Sequence, residues 1–168
     1  LLPTLAMFQN SSRGGYSLLQ IEELLNPFWY SVTTIMPNFF GHPAVRNHWF
    51  PGTYIERVSY FGLIPFVLAL FAFFSFKQKK EIVFFGSVGI LTYLLSTDFI
   101  INRYLYLLPL PVIATTVPTR ILGIFVFCGA ILAAFGLEFF IKKQNKKFLF
   151  IAFGIVAMLV VGIGIYSF

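Results

Sequence analysis

The sequence predicts an all-α fold that crosses a membrane several times, and three observations predict it. The chain of 168 residues is 58% hydrophobic and 11% charged, whereas a soluble domain carries roughly 25% charged residues. The apolar residues form long runs, each near the length that crosses the hydrocarbon core of a bilayer. All lysines lie in two short segments between these runs. A soluble fold could not bury so much apolar surface, so we expect lipid around much of the chain.

The first third of the chain is predicted to hold a partial span and a long loop. Residues 1–8 resemble the last turns of a membrane helix, and the chain starts with Leu rather than Met, so we expect a fragment of a longer protein. Residues 16–25 alternate aliphatic and polar side chains but are too short to span, which predicts an amphipathic helix at the membrane surface. Pro27 ends this helix. The remainder of the loop, through residue 58, contains both histidines.

Four apolar runs predict complete membrane-spanning helices, at residues 59–76, 82–97, 121–141 and 148–168. The first run measures about 27 Å at the usual helical rise, close to the hydrocarbon thickness. Pro65 lies near its start, where a missing N–H costs least. Residues 98–120 contain three prolines, which forbid one continuous helix and predict an irregular outside or re-entrant segment. Together these segments form one transmembrane domain.

The distribution of basic residues predicts the orientation. All seven lysines lie in residues 77–80 and 142–147. Because two predicted spans separate these segments, both lie on one side, which the positive-inside rule assigns to the cytoplasm. Residues 9–58 and 98–120 are then extracytoplasmic. They contain no lysine but all five arginines: Arg13, Arg46, Arg57, Arg103 and Arg120.

The composition excludes several classes of function. Cys128 is the only cysteine, so the chain forms no internal disulfide, and its apolar surroundings argue against a redox or metal role. The net charge of +6 resides in the loops described above, so it does not indicate nucleic-acid binding. The sequence has no phosphate-binding Gly-rich loop, no nucleophile elbow and no HExxH motif. We therefore expect no cofactor, no metal and no nucleic-acid partner.

Arg103 and Arg120 are the first candidates for a binding role, at a lipid phosphate. Arg120 precedes the third predicted span and Arg103 follows the second, so both lie at the outer membrane surface. The planar guanidinium suits bidentate recognition of phosphate. The alternative is that both arginines extend to ordinary lipid headgroups or pair with Asp98 and Glu56.

The loop before the first complete span supplies four more ligand-binding candidates, which are His48, Tyr54, Glu56 and Arg57. Glu56 is a candidate general base, with an ion pair or an acid at a helix N-terminus as the alternative. Tyr54 belongs to an interfacial aromatic belt or stacks on a sugar ring. His48 lies six residues from His42, a spacing that matches no helical metal pair, so we expect ordinary hydrogen bonds there.

Three short motifs carry a resemblance to a known family. Residues 37–41 read PNFFG, residues 60–65 read YFGLIP, and residues 116–120 read TVPTR. In these patterns the chain resembles bacterial YfhO-type membrane proteins, which belong with the GT-C-type glycosyltransferases that use polyprenyl-phosphate sugars. The resemblance covers roughly residues 1–140. Thr116 stands where the family's last motif has its first arginine.

The resemblance implies a glycosyltransferase on the outer face of the cytoplasmic membrane. It would transfer a sugar from a polyprenyl-phosphate-linked donor to a cell-envelope acceptor, with Arg103 and Arg120 at the lipid phosphate. It also implies a catalytic acid upstream of Leu1, so no catalytic residue is assigned within this chain. Two other classes stay open: a transporter or lipid flippase, which predicts ionisable residues at mid-membrane, and a non-catalytic scaffold, whose arginines would tolerate replacement.

Overall fold

The computed structural model describes residues 16–50, 52–74, 79–108, 113, 116–143, 150, 154, 158 and 161. Its α-helices are α1 (Leu18–Leu24), α2 (Tyr54–Arg57), α3 (Leu63–Ala72), α4 (Lys79–Ser96), α5 (Ile100–Leu107) and α6 (Leu122–Lys143). Shorter 3-10 helices cover Phe28–Thr34, Pro43–Val45 and Pro118–Ile121. No strand lies within the described residues, so the all-α prediction is confirmed for them. Predicted segment 1–8 and most of 148–168 fall outside them.

Helices α3 and α6 run side by side in the same direction. The ring of Phe61, just before α3, lies against Gly129, where an added Cβ would be 2.6 Å from it. Further along, the rings of Phe71 and Phe140 are 6.2 Å apart. Between these points, a Cβ on Gly136 would overlap the backbone carbonyl of α3, so the absence of a side chain permits this close approach.

Helix α4 packs against α6 in the opposite direction. Ile82 in its first half shares a buried cluster with Leu132, whereas the Tyr93 ring near its end lies 5.0 Å from the Phe125 ring. The start of α4 and the end of α6 therefore lie at the same end of the molecule. Lysines occupy this end of both helices: Lys79, Lys80 and Lys142.

The three helices leave many large apolar side chains exposed, while several of their buried positions are small. On α4 the buried positions include Gly86, Gly89, Thr92 and Ser96. The exposed positions are large and apolar: Val83, Phe84, Ile90, Leu91 and Leu94. The buried hydroxyls donate to carbonyls of their own helix, as Thr92 does to Val88 and Gly89 at 2.9 Å. Exposed apolar faces and small buried residues of this kind are typical of helices in lipid.

One segment of the described residues, Pro118–Lys142, is long and apolar enough to cross a membrane. It has a mean hydropathy of 2.4, and only 28% of its most apolar window is buried, unlike the core helix of a soluble protein. Helix α4 has three charged residues in its first turn, and α3 has ten residues. The structure thus supports association with a membrane through this helix, and the prediction of four complete spans remains a prediction.

The helix boundaries differ from the predicted ones where the backbone turns. The apolar run predicted as 59–76 becomes helical only at Leu63, because Gly62 adopts a φ of +108° that favours glycine. Ser59 lies in the extended segment before it and its hydroxyl is 2.7 Å from that of Thr34. Segment 98–120, predicted as irregular, contains α5 as well as the 3-10 helix that precedes α6.

Described residues 16–62 and 97–121 form a cap on the end of the helices opposite to the lysines. We call this part the polar cap, and α3, α4 and α6 the helical body. Helices α1 and α5 pack through a cluster of Ile21, Leu25 and Tyr106. A second cluster consists of aromatic rings, with Tyr30 stacked on Phe40 at 4.8 Å. A parallel bridge between Asn26 and Thr97 joins the two parts of the cap, and the Asn26 N–H donates to the Ser96 carbonyl at the end of α4.

Candidate functional site

Arg103 of α5 binds two carboxylates in the polar cap. Its Nε and Nη2 donate to the two oxygens of Asp98 at 2.6 and 2.7 Å, and its Nη1 donates to Glu22 of α1. The hydrogen bonds with Asp98 raise the pKa of Arg103 above its ordinary value. Because all three nitrogens are engaged, Arg103 joins α1, α5 and the end of α4 rather than facing a free site.

Arg120 forms a less complete ion pair at the start of the membrane helix. Its Nε and Nη2 both donate to Oε1 of Glu56, at 2.9 and 2.6 Å, and its side chain is 50% exposed. Glu56 lies in the first turn of α2, where Thr53 donates to its Oε2 at 3.0 Å. The hydrogen bond from Arg120 lowers the pKa of Glu56. Nη1 of Arg120 has no partner among the described residues, so this arginine retains a donor for a ligand.

Arg57 is buried and binds no carboxylate among the described residues. It is 5% exposed, and its Nη1 and Nη2 donate to the backbone carbonyls of Leu25, at 3.3 Å, and Glu23. The guanidinium carbon lies 5.2 Å from the centre of the Phe50 ring, in a cation–π contact. Burial lowers the pKa of Arg57, yet an arginine stays protonated in a folded protein. The site therefore holds a cation that is largely shielded from water.

The local sequence explains this placement. Gly52 has a φ of +99°, and a Cβ at this position would lie 2.7 Å from Nε of Arg57. Only glycine provides both the backbone conformation and the space. On the other side, the amide of Asn26 donates to the Arg57 carbonyl at 3.2 Å. The backbone of Asn26 also bonds Ser96 and Asp98, at 2.9 and 2.7 Å, so Arg57 is fixed to the end of α4.

A cleft of about 470 Å³ opens beside Arg57. Its size falls in the range of roughly 300–1,000 Å³ that is usual for small-molecule sites. Its lining includes three acidic residues and one arginine together with apolar residues and glycine. The lining residues are Glu22, Glu23, Leu24, Leu25, Pro27, Phe50, Gly52, Arg57 and Asp98.

Tyr54 and the two histidines form a separate cluster in the polar cap. The Tyr54 ring lies 4.9 Å from the His42 ring and 5.6 Å from the His48 ring, and its hydroxyl donates to Asn38 at 2.7 Å. His42 Nδ1 accepts from the Ala44 N–H at 3.1 Å and caps a 3-10 helix. His48 Nε2 is buried without a partner among the described residues. Those residues also contain no group of three potential metal ligands.

The six predicted site residues therefore occupy three places. Arg57 lines the cleft, and Arg103 reaches it through the carboxylates of Glu22 and Asp98. Glu56 and Arg120 form one ion pair, and His48 and Tyr54 belong to the histidine cluster. The pairs of Arg103 with Asp98 and Arg120 with Glu56 are those that the sequence offered as the alternative to a ligand.

Sequence reasoning missed the other residues that shape the cleft, chiefly Glu23, Phe50 and Gly52. From sequence alone, Glu23 is expected to be an ordinary solvated acid on a surface helix. The signal that was present is the Pro51-Gly52 pair just before α2, because such a pair marks a turn with a special backbone conformation.

Comparison of the chain with protein-family models, curated proteins and solved structures finds no match. The resemblance to YfhO-type proteins thus stays a prediction from short motifs.

Proposed function

We propose that this chain is part of a polytopic GT-C-type membrane protein that transfers a sugar from a polyprenyl-phosphate-linked donor outside the cytoplasm. Arg120 carries the proposal. It stands at the first turn of the membrane helix, half exposed, with Nη1 uncommitted among the described residues. An arginine in this position can donate to a lipid phosphate at the membrane boundary while Glu56 holds its other nitrogens.

The distribution of charge supports the proposed orientation. Lys79, Lys80 and Lys142 lie at one end of the helical body, and the described arginines lie in the cap at the other end. The positive-inside rule then puts segments 77–80 and 142–147 in the cytoplasm and the cap outside. In that orientation the donor phosphate and the acceptor meet on the outer surface, as the proposal requires.

The interior of the helical body favours this proposal over a transporter. An ion-coupled transporter places ionisable side chains near mid-membrane. Residues 82–96 and 121–137 contain no Asp, Glu, Lys, Arg or His. The buried hydroxyls of Thr92 and Ser96 donate to their own helix, with Ser96 bonding the Tyr93 carbonyl at 2.7 Å. These groups therefore offer no continuous polar path.

The geometry gives different roles to Arg103 and Arg120, which the sequence predicted to bind a lipid phosphate together. Arg103 already donates from three nitrogens to Asp98 and Glu22. Releasing it would leave two carboxylates without a cation, at a cost in stability. Arg120 has only Glu56 to satisfy. The proposal accordingly assigns phosphate binding to Arg120 and gives Arg103 a positioning role.

The test compares variants of the full-length protein in cells that lack their own copy. Lipid extracts are analysed by mass spectrometry for polyprenyl-phosphate-linked sugars, and membrane abundance is measured by immunoblot. Arg120→Ala is expected to lower transfer about tenfold or more, since a hydrogen bond to a charged group contributes roughly 1.5–3 kcal/mol, and the donor should accumulate. Arg46→Ala, at an exposed arginine remote from Arg120 in the chain, serves as the neutral control.

Glu56→Gln separates the two roles of Arg120. If Arg120 binds phosphate, removing the Glu56 charge frees a cation and transfer persists. If Arg120 serves only the ion pair, Glu56→Gln and Arg120→Ala lower transfer equally, and the phosphate role is wrong. Unchanged lipid-linked sugars in cells without the protein would refute the glycosyltransferase proposal as a whole.

A further inference from the structure

We infer that the cleft beside Arg57 binds an uncharged, polyhydroxylated group, namely the sugar, while the phosphate lies outside the cleft at Arg120. The inference deepens the proposed function and rests on it for the identity of the complete substrate. The class of group that enters the cleft follows from the lining residues themselves.

The charges around the cleft disfavour an anion. Glu22, Glu23 and Asp98 line it, against Arg57 in the lining and Arg103 bound behind Glu22 and Asp98. Three acidic residues and two arginines thus belong to the lining and its ion pairs, so one negative charge is in excess. A phosphate in this space would meet like charge at short range. The described residues also provide no cluster of ligands for a metal ion that could offset it.

The polar groups instead match a ligand that both donates and accepts hydrogen bonds. Arg57 has five N–H donors, and two of them are used by the carbonyls of Leu25 and Glu23. The remaining donors point to no acceptor among the described residues. Glu23 also lines the cleft, and its exposed side chain makes no hydrogen bond to a described residue. A hydroxyl group fits beside both partners, because it is at once donor and acceptor.

The walls of the cleft suit the apolar face of a sugar ring. Leu25, Pro27 and Phe50 line it beside the charged groups. Small-molecule sites commonly combine mainly apolar walls with a few placed polar groups. A pyranose has C–H faces and hydroxyl edges, so it can contact both kinds of surface in one orientation. The volume of about 470 Å³ accommodates one such ring with its substituents.

Helix α2 connects the cleft to the phosphate position. Glu56, which holds Arg120, and Arg57, which lines the cleft, are consecutive residues of this one-turn helix. Helix α2 packs against the 3-10 helix Pro118–Ile121 that carries Arg120. The cleft and the position of Arg120 are therefore connected through one short helix, which can couple a sugar bound at Arg57 to a phosphate bound at Arg120.

The test uses the purified full-length protein in an amine-oxide detergent, which carries no sugar headgroup. Saturation-transfer NMR is recorded with the methyl pyranosides of glucose, galactose, mannose and N-acetylglucosamine, and inorganic phosphate is added as a competitor. Glu23→Ala is the test variant, because the exposed Glu23 side chain makes no hydrogen bond or ion pair with another described residue. Glu81→Ala, at an exposed acid in the first turn of α4, is the matched control at the opposite end.

At least one pyranoside is expected to bind the wild type and Glu81→Ala, and to bind Glu23→Ala about tenfold more weakly. Phosphate should not displace it. The absence of saturation transfer to every pyranoside, equal binding to both variants, or displacement by phosphate would each overturn the inference. If the protein binds a pyranoside but lipid-linked sugars in cells do not change, the proposed function is refuted and the assignment of the cleft stands. If sugar transfer depends on Arg120 but no pyranoside binds, the assignment of the cleft is refuted and the proposed function stands.

Discussion

The polar cap and the helical body differ in the polar side chains that they bury. In the cap, Arg57 is buried against backbone carbonyls, and Arg103 pairs with two acids. In the body, the buried polar side chains include hydroxyls that bond their own helix, and many large aliphatic and aromatic side chains face outward. This difference matches the proposed arrangement, with hydrocarbon around the body and an interface around the cap, where charges must find partners.

Within the cap, three arginines differ in how far they are buried and in which groups they bind. Arg103 and Arg120 are both partly exposed, at 30% and 50% of their side chains, and both pair with acids. Arg57 is almost fully buried and has only carbonyl and aromatic partners among the described residues. Because a buried charge is costly to desolvate, a ligand that supplies further hydrogen-bond acceptors to Arg57 would lower this cost.

A charge on the outward face of the body is expected to have the largest effect. Phe127 lies in the first half of the apolar segment Pro118–Lys142 and is 61% exposed. If lipid covers it, Phe127→Arg disfavours insertion by up to about 2.5–3.5 kcal/mol, which is the cost at a helix centre. The measurement is the fraction of protein that resists carbonate extraction from membranes. Ile55→Arg, at an 86% exposed position in the cap, is the control and should insert normally. Equal insertion of both variants would mean that water surrounds the body.

A smaller effect is expected at the contact between α3 and α6. A Cβ on Gly136 would overlap the Leu68 carbonyl, whereas one on Gly123, in the same helix, would meet nothing within 4 Å. Gly136→Ala should lower the free energy of unfolding by about 1–3 kcal/mol, because the helices must separate. Gly123→Ala should be neutral or slightly stabilising. Unfolding in mixed micelles of increasing SDS content measures both, and equal behaviour would contradict the packing of α3 on α6.

The smallest effect concerns the Glu56–Arg120 pair and depends on pH. Arg120 lowers the pKa of Glu56 below its ordinary value of 4.5 in the folded state. The pair therefore stabilises the fold above pH 4.5, and this contribution disappears as the pH falls through the lowered pKa. Being partly exposed, it is expected to contribute under about 1 kcal/mol. The melting temperature of Glu56→Gln should lie below that of the wild type at neutral pH and approach it in acid. A difference that grows in acid would contradict this ion pair.

The membrane helix was predictable from sequence because its determinants are local. An uninterrupted apolar run after Pro118 predicted a helix at 121–141, and α6 spans Leu122–Lys143. Helix α5 was missed, since the prolines of segment 98–120 indicated irregular backbone and all lie after α5. Its position depends on tertiary contacts: the Asn102 amide donates to the carbonyls of Leu94 and Thr97, both at 2.7 Å.

The residue types of the candidate site were predictable from sequence, but the ion pairs and contacts that these residues form were not. The arginines of the outside segments were identifiable because they alone carry positive charge there. Their partners lie far away in the chain: Glu22 is 81 positions from Arg103, and Glu56 is 64 positions from Arg120. Such contacts depend on how the loops cross over the helix ends, which no local pattern encodes. The same holds for the meeting of Arg57 with Glu23 and Phe50 that forms the cleft.

The most direct measurement of the central claim is the accessibility of single cysteines in intact cells. Cys128 is replaced by Ala, and a cysteine is introduced by Arg46→Cys in the cap or by Lys80→Cys at the opposite end; both positions are exposed. A membrane-impermeant maleimide should label Arg46→Cys in intact cells and Lys80→Cys only after the membrane is permeabilised. Labelling of Lys80→Cys in intact cells, or protection of Arg46→Cys, would contradict a membrane protein whose polar cap faces outward.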